Sequence, residues 1–361
     1  MRATLLGWCG GLLACAASMS GCGGSLKPQL IDAAYHKPSN VAVFFAVNDD
    51  DGEPVADLLA SDFNIYEDDK IVSRDESRQT IVNPELAAAH YTLLLVDMSA
   101  SVTESDQLGR IVAASQEFIT RVQPYQRTAV YAFDGSPTLY EVAPFSENEQ
   151  RTEQGLTKLQ QFQSRDPSTN LNGAIVQALD KLKQSLKQSK APLHFGTLVV
   201  FTDGTDRAAR VPLQQTLDSI GASETAVFAI GVGNEIDDAT LSRIGKDGYI
   251  RVENSTALSD AFKQIGDRIV RYTRRYYLLS YCSPARAGNH KVTIEAVTKK
   301  QGRGTVSYDF DAAGFAPGCD ATKPPPFDTT GRSLRSRKKL GLTPQPAQAQ
   351  AAAHAPKTAS K

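Results

Sequence analysis

Between residues 90 and 275 the chain alternates continuous apolar runs with stretches of three-and-four periodicity, and few folds accept that rhythm. The runs Tyr91–Val96 (YTLLLV), Thr128–Phe133 (TAVYAF), Thr197–Phe201 (TLVVF) and Ala226–Val232 (AVFAIGV) lack the polar alternation of a sheet with one wet face. They predict strands covered on both sides. Between them, Leu108, Ile111, Val112, Ser115, Phe118, Ile119 and Val122 share one helical face. The same spacing joins Leu171, Ile175, Ala178, Leu179 and Leu182, and later Leu258, Phe262, Ile265, Ile269 and Tyr272. Alternating strands and helices predict an α/β domain with a doubly wound, mostly parallel sheet. Such sheets bind ligands beyond the carboxyl ends of their strands, where strand order reverses.

Both flanks of this unit read as β. In residues 41–85, Val41–Val47 (VAVFFAV) is followed by the acidic turn Asp49–Pro54, then Phe63–Tyr66, a turn at Asp68-Asp69 and a run ending at Thr80–Val82. In residues 276–319, Tyr276–Tyr281 (YYLLSY), Val292–Val297 and Val306–Phe310 repeat the pattern around a turn at Gly302–Gly304. Three strands bury too little by themselves, so the economical arrangement is one small β-sandwich made from both flanks, with the α/β domain inserted in it. The acidic turn fails as a calcium loop: with Gly52 at the sixth position, Val47 and Leu58 fall where acidic ligands are required. It reads as a solvated hairpin turn.

The ends have different chemistry. Residues 1–21 hold one early charge, Arg2, and an apolar stretch diluted by glycine, too short to span a bilayer, and this predicts an export signal. The segment Met19–Ser25 resembles the lipobox of bacterial lipoproteins, with Cys22 as the acylated cysteine and residues 22–40 as a linker. Leu12–Cys15 is a competing match, and simple cleavage to a soluble exported protein is the other reading. Two or more acyl chains, at ~0.8 kcal/mol per buried methylene, would anchor the chain to a membrane. A glycine after the modified cysteine resembles the outer-membrane lipoproteins of Gram-negative bacteria, facing the periplasm or the surface. Beyond Cys22 the sequence holds two cysteines, Cys282 and Cys319, which match no metal spacing and invite a disulfide in an oxidising compartment. Residues 320–361, rich in Ala, Pro and Gln, predict a disordered tail. Its eight Lys and Arg outweigh Asp320 and Asp328, whereas the whole chain carries −1, so the body is acidic and the tail basic. This balance gives no field suited to nucleic acid.

One constellation carries chemistry. Asp97, Ser99 and Ser101 (DMSAS) follow the first apolar run, Asp203 (FTDG) closes the third, and Ser168-Thr169-Asn170 opens a helix, where a hydroxyl could cap it. If the strands are neighbours, two carboxylates and three hydroxyls converge at the switch point. An all-oxygen set without His or Cys selects Mg²⁺, Ca²⁺ or Mn²⁺ over zinc or copper.

Asp97-x-Ser99-x-Ser101, Thr169 and Asp203-Gly204 resemble, in order and in strand context, the metal-ion-dependent adhesion site (MIDAS) of von Willebrand factor type A domains, the integrin I-like domains. The resemblance covers residues 90–275. It implies that Ser99 and Ser101 bind the ion directly and that Thr169 does so directly or through water. Asp97 and Asp203 are implied to act mostly through bound waters. It also implies an open coordination position, filled by an acidic residue of a partner protein. The flanks, with Gly52, Pro54, Val55, Leu58 and Asp62–Asp68 before the domain and YYLLSY after it, resemble a bacterial subfamily of secreted von Willebrand A-related proteins.

The chemistry argues against an enzyme. Haloacid-dehalogenase-type phosphotransferases need a second Asp two residues after the first, and that position is Ser99. No G-x-S-x-G, H-E-x-x-H or P-loop is present. Gly231-Val232-Gly233 lacks a third glycine and reads as a turn. His90 and His194 precede strands and suggest partly exposed edges rather than catalysis. The expectation is a metal-dependent protein-binding module with no small-molecule substrate. The alternatives are an envelope assembly protein whose metal only stabilises it and, behind that, a metal-dependent hydrolase.

Overall fold

The computed structural model describes residues 25–82, 88–105, 107–146, 149–189, 191, 193–299 and 302–327. The expected signal at 1–21, Cys22 and the tail beyond Phe327 lie outside the described residues. Strand β1 (Lys27–His36) comes first, within the segment expected as a linker, and pairs antiparallel with β2 (Asn40–Asn48). The chain continues through β3 (Phe63–Glu67), β4 (Lys70–Ile71), the single turn α1 (Arg74–Ser77) and β5 (Thr80–Val82).

The α/β unit follows: β6 (Ala88–Asp97), α2 (Ala100–Thr103), α3 (Leu108–Val122), β7 (Arg127–Phe133), β8 (Tyr140–Ser146), α4 (Glu149–Leu159), α5 (Leu171–Gln188), β9 (Leu193–Thr202), α6 (Leu213–Ala222), β10 (Ala226–Val232), α7 (Asp238–Ile244), β11 (Gly248–Val252) and α8 (Leu258–Arg274). Three strands, β12 (Tyr276–Cys282), β13 (Asn289–Thr298) and β14 (Gly302–Asp311), end the fold.

The central sheet has the order β11-β10-β9-β6-β7-β8, parallel throughout except for the antiparallel edge strand β8. Its two faces are covered separately. Ile111, Phe118, Phe262 and Ile265 of α3 and α8 pack with Leu94, Val96 and Phe201 on one side. Ile175, Leu179 and Leu182 of α5 pack with Leu93, Leu95 and Val200 on the other. The uninterrupted apolar runs follow from this double cover. Strand order reverses between β6 and β9, whose connections leave in opposite directions.

The flanks form two further four-stranded sheets, β1-β2-β12-β5 and β14-β13-β3-β4, each mixing strands from before and after the α/β unit. They face each other over Val43, Phe45, Phe63, Ile65, Leu279, Val292 and Ile294. Strand β2 is buried along its whole length for a visible reason. Val41, Val43, Phe45 and Val47 enter the sandwich core, while Ala42, Phe44 and Ala46 pack with Phe195 and Tyr276 between the sandwich and the α/β unit. His90 lies in that same layer, 8% exposed, stacked on Phe195 with ring centroids 4.9 Å apart, so the expected exposed edge position is corrected.

Cys282 and Cys319 form a disulfide. Beyond it, the Asn40 amide donates to the Asp320 and Lys323 carbonyls at 2.6 and 3.1 Å, and the Phe327 ring packs on Phe44. Residues 320–327 therefore belong to the body rather than to the expected tail. Gly231 lies inside β10, and the turn expected there begins at Gly233, whose φ of +86° favours glycine. Among the described residues no helix is long and apolar enough to cross a membrane.

Candidate metal centre

Strands β6 and β9 are parallel neighbours with Val96 opposite Phe201, so Asp97 and Thr202 end them at the same level, with Asp203 one residue further on. Asp97 is fully buried. Its Oδ1 accepts the Ser99 N–H at 3.0 Å and its Oδ2 accepts the Thr202 hydroxyl at 2.6 Å. The chain then turns directly into α2 with Ser99 as N-cap, yet the Ser99 side chain makes no capping bond. Its Oγ lies 3.1 Å from the Ser101 Oγ instead, and the Ser101 hydroxyl donates to Asp203 Oδ1 at 3.0 Å. Four of the five expected residues thus form one hydrogen-bonded line, joined through the Ser99 backbone N–H at its first step and through side chains after it. Along it, Asp97 and Ser99 are buried, Asp203 is half-buried and Ser101 is exposed, so the group opens to solvent at Ser101.

Thr169 stands apart in one respect. It is buried on the loop before α5, and its carbonyl accepts the Arg207 and Ala208 N–H groups at 2.9 and 3.0 Å. The neighbouring Pro167 carbonyl accepts the Ala100 N–H at 3.2 Å. The Thr169 loop is therefore stitched by backbone to the loops of both aspartates, but its side chain makes no hydrogen bond to the other four. The expected hydroxyl cap of α5 is absent: Asn170 is the N-cap, its amide donates to the Ser136 carbonyl at 2.9 Å rather than capping the helix, and the Ser168 hydroxyl donates to Asp166.

Electrostatics show what the group lacks. Burial, and then the neighbouring Asp203 carboxylate, push the Asp97 carboxyl up to about 7, against hydrogen bonds from Thr202 and Ser99. Burial also raises Asp203, opposed by the Ser101 hydroxyl. Among the described residues no Lys or Arg side chain bonds either carboxylate, and no three His, Cys, Asp or Glu side chains gather into a metal cage. Two acids held together in a poorly solvated crevice favour a cation between them, and the surrounding donors are neutral hydroxyls. That donor set fits a hard divalent ion.

The sequence did not reveal Thr202, which is buried, orients Asp97 and accepts the Gly204 N–H at 3.2 Å. Its only signal was a polar residue ending an apolar strand.

The sequence profile of the von Willebrand factor type A domain matches residues 93–264. The chain carries a von Willebrand factor type A domain. No curated protein matches the sequence. Among solved structures, proximal thread matrix protein 1 from the mussel byssus, with a zinc-occupied MIDAS motif, is similar at 17% identity and TM-score 0.43, over 50% of this chain and 48% of that one. This chain therefore spans about half the length of the mussel protein. A von Willebrand factor type A protein from Catenulispora acidiphila is similar at 11% identity and TM-score 0.44, over 81% and 73% of the two chains. The manganese-loaded TRAP protein of Plasmodium vivax is similar at 12% identity and TM-score 0.42, over 70% and 99%.

Proposed function

We propose that the von Willebrand factor type A domain is a metal-dependent protein-binding module that presents one divalent cation to an acidic residue of a partner. Ser99 and Ser101 hold the ion directly, and Thr169 does so directly or through water. Asp97 and Asp203 supply the charge through bound waters. Mg²⁺ is the expected occupant in a cell, with Ca²⁺ or Mn²⁺ as substitutes, because hydroxyl-rich sites discriminate poorly among them.

The observation that carries this reading is the line Asp97, Ser99, Ser101, Asp203, which starts at a fully buried carboxylate and reaches a half-buried one through an exposed hydroxyl. An ion held there by neutral hydroxyls keeps much of its charge and is open on the solvent side, so a carboxylate is its natural next ligand. No side chain on the line is arranged as a general base with a nucleophile, which favours binding over hydrolysis. The export signal and Cys22 add an exported protein anchored in the cell envelope through lipid, in the outer membrane of a Gram-negative cell.

The test is crosslinking and affinity capture from the envelope with and without chelator, using the wild type and Asp97→Ala. Partners captured with Mg²⁺ and lost in EDTA and in Asp97→Ala support the reading. Capture that persists in EDTA assigns the ion a structural role. Phosphoester turnover that disappears in Ser99→Ala would establish an enzyme.

A further inference from the structure

The weakest link in the centre is Thr169, because its own loop has no regular structure to fix it. The hydrogen bonds that shape this loop converge on Asp134, the residue after β7, whose carboxylate is fully buried. Its Oδ1 accepts the Ser136 N–H at 2.7 Å. Its Oδ2 accepts the Arg165 N–H at 2.8 Å, the Ser164 hydroxyl at 3.2 Å and the Asp166 N–H at 3.3 Å. The Tyr140 hydroxyl reaches both oxygens at 3.3 and 3.2 Å. The Asp134 carbonyl accepts the Asn170 N–H at 3.0 Å, and the Gly135 N–H donates to the Asp166 carbonyl at 3.1 Å. The loop is thus fastened on both sides of Thr169 by one residue and its following peptide.

A second clamp closes over this one. Asp166 accepts the Ser168 hydroxyl at 2.7 Å and the Arg210 guanidinium at 2.9 Å, while Arg210 Nε donates to the Gly135 carbonyl at 2.6 Å. Gly135 is required by the close approach, since a Cβ there would lie 2.1 Å from the Ser168 Oγ and 2.3 Å from Asp166 Oδ1.

From this geometry we infer that Asp134 is a positioning residue of the metal centre, a buried anion that holds the 164–170 loop so that Thr169 takes its place at the ion. This rests on the reading that Thr169 serves a divalent cation. The chemistry requires a carboxylate. Every partner of the Asp134 side chain is a donor, and an Asn amide would turn its own N–H₂ toward donors on one side or the other. Outer residues that orient metal ligands typically change affinity by about 10–100-fold when altered.

The experiment measures Mn²⁺ affinity from the EPR signal of free ion, and inner-sphere waters from water-proton relaxation, for the full chain and for Asp134→Asn, Thr169→Val and the double variant. Asp134→Asn is expected to weaken Mn²⁺ binding about tenfold or more and to change the water number as Thr169→Val does. The double variant is expected to be no weaker than Thr169→Val, because both act through one contact. Unchanged affinity in Asp134→Asn alongside a loss in Thr169→Val overturns the inference, and so does a double loss equal to the product of the single ones. If Asp134→Asn does not fold, Tyr140→Phe and Ser164→Ala each remove one donor and should weaken Mn²⁺ about threefold. No change in either overturns the inference. Wild type that binds no Mn²⁺ overturns the metal reading itself, and the inference with it.

Discussion

Replacing Thr202 by Val tests the centre without touching an ion ligand. The two side chains have nearly the same shape, so the change removes one hydroxyl from a fully buried position at the end of β9. Two interactions are lost. The 2.6 Å bond to Asp97 has a carboxylate acceptor, and such bonds contribute about 1.5–3 kcal/mol. The Gly204 N–H, 3.2 Å away, loses its acceptor at a further cost of about 1 kcal/mol. The expected destabilisation is about 3 kcal/mol, which for a domain of 150–250 residues lowers Tm by roughly 6–12 °C. Scanning calorimetry in EDTA at pH 8 is the assay, since Asp97, raised to about 7, is then mostly ionised and the bond is at full strength. A drop below about 2 °C would mean that Thr202 does not hold Asp97.

Other perturbations probe separate parts of the chain. Burial works against the Asp134 carboxylate, but hydrogen bonds from Ser136, Arg165 and Asp166 outweigh it and hold its pKa below the ordinary value. The folded state has the lower pKa, so the stabilisation is whole above the unfolded value of about 4 and is lost as pH falls through the folded value. Acid unfolding followed by circular dichroism should be steeper below pH ~4 in wild type than in Asp134→Asn, and equal slopes would contradict this. Reducing the Cys282–Cys319 disulfide, which spans 37 residues, should cost about 4 kcal/mol, and an unchanged melting curve under reductant would refute that role. Arg275 is 1% exposed at the joint between α8 and β12, donates to Asn48 at 2.9 Å and lies 4.6 Å from the Tyr272 ring centre. Arg275→Ala should cost at least about 3 kcal/mol in chemical denaturation, whereas a loss below ~1 kcal/mol would show that the joint does not depend on it.

The parts of the fold that the residue pattern revealed are those whose burial follows a simple period. YTLLLV, TLVVF and AVFAIGV read as buried strands because no position along them meets water, and the helices α3, α5 and α8 read from one apolar stripe each. Strand β1 was hidden because KPQLIDAAYH interleaves Lys, Gln and Asp with its apolar residues, as a strand at the edge of a sheet can. Residues 320–327 looked like tail because what fixes them is remote in sequence: the disulfide, the Asn40 amide and the Phe44 ring.

The candidate centre divides the same way. Asp97, Ser99, Ser101 and Asp203 were legible because residue type and strand-end position coincide. Thr202 and Asp134 each directly follow an apolar run, Thr197–Phe201 and Thr128–Phe133, and carry no such signal. Their roles come from partners 105 and 30–32 positions away, which no local pattern encodes.

The central claim is that the two aspartates and the hydroxyls between them hold one hard cation. Calorimetric titration of Mg²⁺ into the purified full chain tests it most directly. The account predicts a single site in the wild type, abolished by Asp97→Ala and severely weakened by Ser99→Ala and Asp203→Ala, all in chains that remain folded by circular dichroism. A wild type that takes up no Mg²⁺, or Mg²⁺ binding that survives intact in Asp97→Ala and Asp203→Ala, would contradict it.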